Sequence, residues 1–214
     1  METCQCRAIE AKFDEKYVAR KLKEYRKKGP KKTTLHLIEA LRAEGFQGMT
    51  LLDIGGGVGD IQHAMLRSGL GHATDCEAST AYSEACRQEA ERLGHSERID
   101  HIQGNFIDMA KDIPAADIVT LDRVICCYDD MPALVNSSTQ KARRLYGVVY
   151  PLDTWWTRLG MLLYYNLRYW LQRNSMRQFL HPTEAVEAVI HSNGFQRRSY
   201  RAMGPWQVVV YARA

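Results

Sequence analysis

The stretch Leu51-Leu52-Asp53-Ile54-Gly55-Gly56-Gly57-Val58-Gly59-Asp60 constrains the fold more than any other part of the chain. Leu51, Leu52 and Ile54 form the apolar run of a strand covered on both faces, as in a parallel sheet between helix layers. Gly55, Gly57 and Gly59 follow at alternate positions. Such a loop turns tightly, and the missing Cβ atoms let a ligand approach the backbone. A helix is expected from about Asp60, turning Ile61, Ala64, Met65 and Leu66 inward. Open α/β sheets bind ligands at the carboxyl ends of their strands, where Asp53 stands.

Spacing arbitrates between the ligands that use glycine loops. A dinucleotide fingerprint needs Gly-x-Gly-x-x-Gly. Starting at Gly55, the third glycine would fall on Asp60; starting at Gly57, it would fall on Gln62. An acid at that place would also repel a pyrophosphate. No loop ending in Gly-Lys-Ser/Thr is present. What remains, acid-x-Gly-x-Gly-x-Gly, resembles motif I of class I S-adenosylmethionine-dependent methyltransferases. That cofactor carries an ammonium and a sulfonium but no phosphate, so an acid beside the loop is favourable. The plain alternative is a glycine turn without a ligand.

The 214 residues suit one methyltransferase domain over 33–214, preceded by a tail and a basic capping helix over 1–32. Composition is ordinarily globular, 45% hydrophobic and 25% charged, and a formal charge of +4 does not by itself imply nucleic acid. Six cysteines give neither a disulfide framework nor paired C-x-x-C zinc spacing, so no metal is expected. No apolar signal core opens the chain, and the expected setting is reducing and cytoplasmic. Residues up to about Lys12 read as a loose tail, in which Cys4 and Cys6 make only half a metal site.

From Phe13 to Lys32 the sequence is a basic amphipathic helix, with Phe13, Tyr17, Ala19, Leu22 and Tyr25 as an irregular apolar stripe. It reads either as a solvated cap on one edge or as a patch for an anionic partner or acidic membrane surface. Gly29-Pro30 ends it. Thr33 or Thr34 is expected to cap a second helix through Leu41.

Further βα units follow. His72–Glu77 reads as the second strand and Ser79–Leu93 as its helix. The resemblance implies an acid at this strand's tip that holds the two ribose hydroxyls. Glu77-Ala78-Ser79 matches the family's acid-x-Ser pattern, with Asp75 as the alternative; both lie about twenty residues beyond the loop, where the ribose falls in this architecture. Ile99–Gln103 is the third strand. The family's Gly-Asp after it appears here as Gly104-Asn105. An amide both accepts and donates, so Asn105 is assigned to the adenine, with Phe106 either on its face or in the core.

Ala115–Asp122 reads as the fourth strand, whose carboxyl end the resemblance places beside the reactive methyl group. Asp122 and Arg123 stand where the family keeps a polar pair near the methionine part. Cys126 and Cys127 read either as buried small residues or as reactive thiols. Tyr128 and Asp129 are positioned to orient or deprotonate an acceptor. Met131–Leu145 is expected as a helix and Tyr146–Tyr150 as the fifth strand, broken by Pro151. Residues 152–180 hold Trp155, Trp156, Leu159, Tyr164, Trp170 and interspersed arginines. Their apolar run is far below the roughly twenty residues needed to span a bilayer. The stretch reads as an active-site lid, a helix on the sheet, or an interfacial helix.

His181-Pro182-Thr183-Glu184 opens the last helix, and Asn193-Gly194 closes it. His181 is a candidate base or a packing residue. Phe195–Arg201 and Trp206–Arg213 read as two strands around a turn; the resemblance implies a terminal antiparallel hairpin with the last strand beside the fifth. From Gly104 onward the chain is also distantly similar to magnesium-protoporphyrin O-methyltransferases, which implies a flat, lipophilic acceptor.

The expected fold is therefore an α/β three-layer Rossmann-like seven-stranded mostly parallel sheet with an antiparallel C-terminal strand. The resemblance implies S-adenosyl-L-methionine as cofactor, held by Asp53, Gly55, Gly57, Gly59, Glu77, Asn105, Phe106 and Asp122. Tyr128, His181 and Asp122 are the catalytic candidates. The expected partner is a small lipophilic or aromatic acceptor, not nucleic acid, with peripheral membrane contact through 13–32 or 152–173. The alternatives are a non-catalytic S-adenosylmethionine-binding module acting through a partner and a drifted nucleotide-dependent oxidoreductase.

Overall fold

The structure is a computed structural model that describes residues 9–160, 163 and 178–214. Cys4, Cys6, Tyr164, Trp170 and most of the expected lid lie outside the described residues. Seven strands form one sheet in the order β3-β2-β1-β4-β5-β7-β6. They are β1 Thr50–Ile54, β2 His72–Glu77, β3 Ile99–Gln103, β4 Ala116–Asp122, β5 Ala142–Pro151, β6 Phe195–Met203 and β7 Trp206–Arg213. β1 pairs in parallel with β2 and β4, while β7 runs antiparallel between β5 and β6. The expected sheet is thus observed, including the inserted last strand.

Strand alternation builds two cores. Leu52, Val119, Val148 and Val209 point to one face, against the helices Met131–Lys141 and Thr183–Ser192. Leu51, Ile118, Val149 and Val210 point to the other, against Leu37, Leu41, Ile61 and Met65 of the helices Lys32–Glu44 and Asp60–Arg67. Side chains one residue apart on a strand face opposite ways, so one apolar run feeds both layers.

Several boundaries differ from expectation. β5 begins at Ala142, not Tyr146, because Ala142 pairs with Ala116 across a register shift and is buried there. Arg143 and Arg144 are exposed on that early segment, which disguises it as helix in sequence. Pro151 closes β5, opposite Trp206 of β7. The helix Lys32–Glu44 starts at Lys31 without a side-chain cap. Thr33 and Thr34 are buried within it, their hydroxyls committed to the tip of β4.

The N-terminal segment is not a loose tail from residue 9 onward. Ile9 is buried, and Oε1 of Glu10 accepts from the amide of Thr80 at 2.8 Å. The basic helix runs Glu15–Lys28, capped by Asp14, whose Oδ1 accepts from the Tyr17 amide at 2.8 Å. Its buried stripe is Val18, Leu22 and Tyr25, packed on Val58 and on Ala85 of the helix Thr80–Leu93. That stripe follows helical spacing; Ala19, counted in it from sequence, is exposed. No helix of the described residues is long and apolar enough to cross a membrane.

Candidate active site

A cavity of about 1010 Å³ opens at the carboxyl ends of β1, β2 and β4. Asp53, the glycine loop, Glu77, Phe106, Asp122 and Tyr128 line it from the sheet side, and the basic helix covers it. Topology puts it there: β1 and β4 are neighbours, yet their crossovers leave in opposite directions, which opens a crevice above their ends.

The loop turns directly after β1. Its amide at Gly55 donates to the Cys76 carbonyl of β2 at 2.8 Å. Gly59 stands at φ 84, the left-handed start of the helix Asp60–Arg67. Gly56 has a different constraint. A Cβ there would strike Nε2 of Gln62 and lie 2.5 Å from Oδ1 of Asp75. The loop is therefore pressed onto a buried hydrogen-bond network.

Asp53 belongs to that network. Its Oδ1 accepts from the Thr120 hydroxyl at 2.7 Å, and its Oδ2 from Nε2 of Gln62 at 3.2 Å. Burial is the largest influence on its carboxyl, with the charges of Asp75 and Asp122 adding to it, and pushes it up to about 8 against the Thr120 hydrogen bond. The same Gln62 amide donates to Asp75 at 2.9 Å, and Asp75 meets Nδ1 of His101 at 3.3 Å. Asp75 is fully buried behind the loop and is not among the cavity's lining residues.

Glu77 does line the cavity. Its Oε2 accepts from the Gly57 amide at 3.1 Å and its Oε1 from the Ser79 amide at 2.9 Å. Burial and then the Asp75 charge push its carboxyl up to about 7, against those backbone donors. Two more acids face the same space. Asp60 and Asp122 both line it, and the Oδ1 atom of each is buried without a hydrogen-bond partner. Burial, followed by the Asp122 charge, raises Asp60 to about 6.

The tip of β4 is fixed from outside the sheet. Oδ2 of Asp122 accepts from the Thr34 hydroxyl at 2.5 Å, and the Arg123 guanidinium donates to Thr33 and lies 3.3 Å from Oδ1 of Asp122. Arg123 has φ 64, the one left-handed non-glycine among the described residues. Its guanidinium carbon lies 5.1 Å over the Trp206 ring. Both Cys126 and Cys127 line the cavity, and their thiols turn to the Arg123 carbonyl.

The structure does not gather every expected residue. The Asn105 amide is turned away: its Oδ1 accepts from the Tyr128 hydroxyl and the Ile107 amide, and its Nδ2 donates to Asp108 at 3.1 Å. Gly104 and Phe106 line the cavity on either side of it. His181 is not a lining residue; its Nε2 meets the Tyr128 carbonyl at 2.8 Å. Sequence reading missed Gly56, Gln62 and Asp60 as parts of the site. Gln62 had a legible signal, a polar side chain between Ile61 and Met65 on an apolar helix face.

A mostly parallel sheet in the order 3-2-1-4-5-7-6 with β7 antiparallel, and acids at the tips of β1, β2 and β4 around a glycine loop, defines a class I S-adenosylmethionine-dependent methyltransferase. The chain belongs to the O-methyltransferase domain family, whose signature matches residues 8–136. Among solved structures it is similar to magnesium protoporphyrin IX methyltransferase from Synechocystis PCC 6803 with bound S-adenosylhomocysteine. There the identity is 16%, the TM-score 0.70, and the match covers 85% of this chain and 82% of that one. It is also similar to the putative methyltransferase complexed with the Trm112 activator of Haloferax volcanii, at 12% identity and TM-score 0.71, over 95% and 96% of the chains. A third is an O-methyltransferase family 2 protein from Planctomyces limnophilus in complex with apigenin, at 17% identity and TM-score 0.62. It is matched over 78% of this chain and 52% of that one. No curated protein matches the sequence.

Proposed function

We propose that this chain moves the methyl group of S-adenosylmethionine to an oxygen of a small aromatic acceptor bound between the strand tips and the basic helix. The observation that carries the reading is the set of buried acids around the glycine loop. One of them, Asp60, keeps a carboxylate oxygen with neither a hydrogen bond nor an ion pair among the described residues, and Asp122 beside it has its Oδ1 held only by the Arg123 guanidinium at 3.3 Å. Unpaired buried acceptors call for a donor or a cation, and the cofactor brings an ammonium. The glycine loop leaves room for its methionine part. Glu77, pinned by two amides, keeps lone pairs for the ribose hydroxyls. Phe106 and Gly104 remain for the adenine, and the turned-away Asn105 holds Tyr128 in place.

The bound cofactor supplies an activated methyl group, displaced in line by the acceptor oxygen. This chain's residues position and desolvate the reactants. Asp122 stands beside the transfer, oriented by Thr34. Tyr128 faces the cavity from the turn after β4 and is the acid/base candidate; His181 supports it through the backbone. A volume of about 1010 Å³ lies at the upper end of ordinary ligand pockets and leaves space for a second molecule beside the cofactor. The lining of the cavity includes the aromatic rings of Phe13, Tyr17, Tyr82 and Trp206. The magnesium protoporphyrin in one relative's name and the apigenin bound to another are flat molecules that agree with such a lining. The lid reading of 152–180 stays part of this proposal; of its described residues, Gln178 lines the cavity.

The test is calorimetric titration with S-adenosylmethionine, S-adenosylhomocysteine and NADH. Micromolar binding of the two sulfur compounds and none of NADH is expected. Release of S-adenosylhomocysteine is then followed with phenolic and polycyclic acceptors. Binding without turnover on any acceptor would favour a non-catalytic module, and absence of binding would end the reading of the loop.

A further inference from the structure

The cavity has two chemically different walls. Acids occupy the strand tips, whereas the cover and the turn after it are cationic and aromatic. Lys12 and Arg20 line the cavity, and neither has an ion pair among the described residues. Nζ of Lys12 lies 5.3 Å from the Phe13 ring centre, and the Arg20 guanidinium carbon 5.2 Å from that of Tyr17. The basic run is thereby sorted. Lys23 and Lys27 of the same helix do not line the cavity, and Arg26 is spent on buried Glu89 at 2.8 Å. A solvated face would not need its cations stacked on rings at a cavity mouth.

S-adenosylmethionine does not account for this wall. Its two cationic groups go to acids, and its single carboxylate needs one cation. Unpaired cations at the mouth of a concave, low-dielectric site focus a positive potential and draw in anions. Resting on the methyltransferase reading above, we infer that the acceptor is an aromatic anion. Its rings pack on Phe13 and Tyr17, and Lys12 and Arg20 grip an anionic group that is not the atom methylated.

Two dyes that share their rings and differ in one charge test this: 8-anilinonaphthalene-1-sulfonate and N-phenyl-1-naphthylamine. Each is titrated by fluorescence into the full chain, with and without saturating S-adenosylhomocysteine. The sulfonate is expected to bind about tenfold tighter at low salt, the advantage shrinking as ionic strength rises. The Lys12→Gln/Arg20→Gln double variant should lose most of that preference while keeping its affinity for S-adenosylhomocysteine. Lys23→Gln/Lys27→Gln should retain it. Equal affinity for the two dyes, or an equal loss in both double variants, overturns the inference. Cofactor binding without dye preference sinks this inference alone. A preference without cofactor binding sinks the methyltransferase reading instead.

Discussion

The amide of Gly57 donates to Oε2 of Glu77 at 3.1 Å, tying the glycine loop after β1 to the tip of β2. One contact thus fixes the distance between the two places where the ends of the cofactor are proposed to sit. Because the Ser79 amide holds the other oxygen, the carboxylate cannot rotate away from the cavity.

Replacing Glu77 by Ala should weaken S-adenosylhomocysteine binding by about 1–3 kcal/mol, the cost of a lost charge-assisted hydrogen bond. Its carboxyl is pushed up to about 7 by burial and the Asp75 charge. Cofactor hydroxyls donate best to the ionised form, so affinity should fall as the pH drops from about 8 to about 6. Calorimetry across that range should show the slope in the native chain and a flat response in Glu77→Gln. Unchanged affinity in Glu77→Ala would remove the residue from the ribose site.

Stability should fall with rising pH in the cofactor-free protein. Burial and neighbouring acids lift Asp53 to about 8. In the unfolded chain this group ionises near its ordinary value, around 4. Between these values the folded state holds a proton that the unfolded state lacks. The stabilisation is full at low pH and is lost as the pH rises through about 8. Glu77 acts in the same direction up to about 7. His63, lowered to about 4 by burial, is neutral in both states at the alkaline end and adds nothing there. Melting scans from about pH 6.5 to about pH 8.5 should show a loss of the order of 1–2 kcal/mol. Asp53→Asn should flatten much of it; a variant with the native slope would show that Asp53 is not the group responsible.

Gly56→Ala should damage the loop more than its ordinary backbone angle suggests. The added carbon meets the Gln62 amide and stands 2.5 Å from Asp75, both inside a closed network. Overpacking of that kind costs about 1–3 kcal/mol. The melting temperature should drop and cofactor affinity with it. A double variant with Gln62→Ala, which removes the nearest of these contacts and lets the loop shift from Asp75, should recover part of the loss in affinity if the clash is the cause.

His181→Ala and Tyr128→Phe separate support from chemistry. The imidazole touches the Tyr128 carbonyl, so its loss should cost about 1 kcal/mol of stability and leave the pH profile of kcat in shape. Removing a working acid or base costs about a hundredfold or more in rate. Tyr128→Phe should lower kcat and change the profile. A hundredfold loss in His181→Ala with the acidic limb of the profile gone would reverse the assignment.

Strands β2 and β3 were legible to the residue although neither is an apolar run, because glycine turns bound them, Gly69 and Gly71 just before β2 and Gly104 just after β3. Strand β5 was not. Arg143 and Arg144 are exposed there and look helical, and only the pairing of Ala142 with Ala116 makes the segment a strand. Thr33 and Thr34 carried a capping signal in sequence, yet the tip of β4 claims both hydroxyls from far along the chain.

The sequence by itself determined the kind of protein: an apolar strand, an acid and alternating glycines restrict local geometry so strongly that the sheet and the ligand class follow. Which acid faces the cavity was decided only by tertiary structure. Asp75 and Glu77 are two residues apart on one strand and share a face, so periodicity cannot separate them. Asp75 lies within the strand, where the loop and Gln62 close over it. Glu77 lies at the end, where the strand outruns its cover and the Gly57 and Ser79 amides hold it toward the cavity. In the same way the lysines of the basic helix look alike in sequence. The burial of Val18, Leu22 and Tyr25 sets the helix's rotation, and that rotation sends Arg20 to the cavity wall and Lys23 and Lys27 away from it, while Lys12 reaches the wall from the segment before the helix.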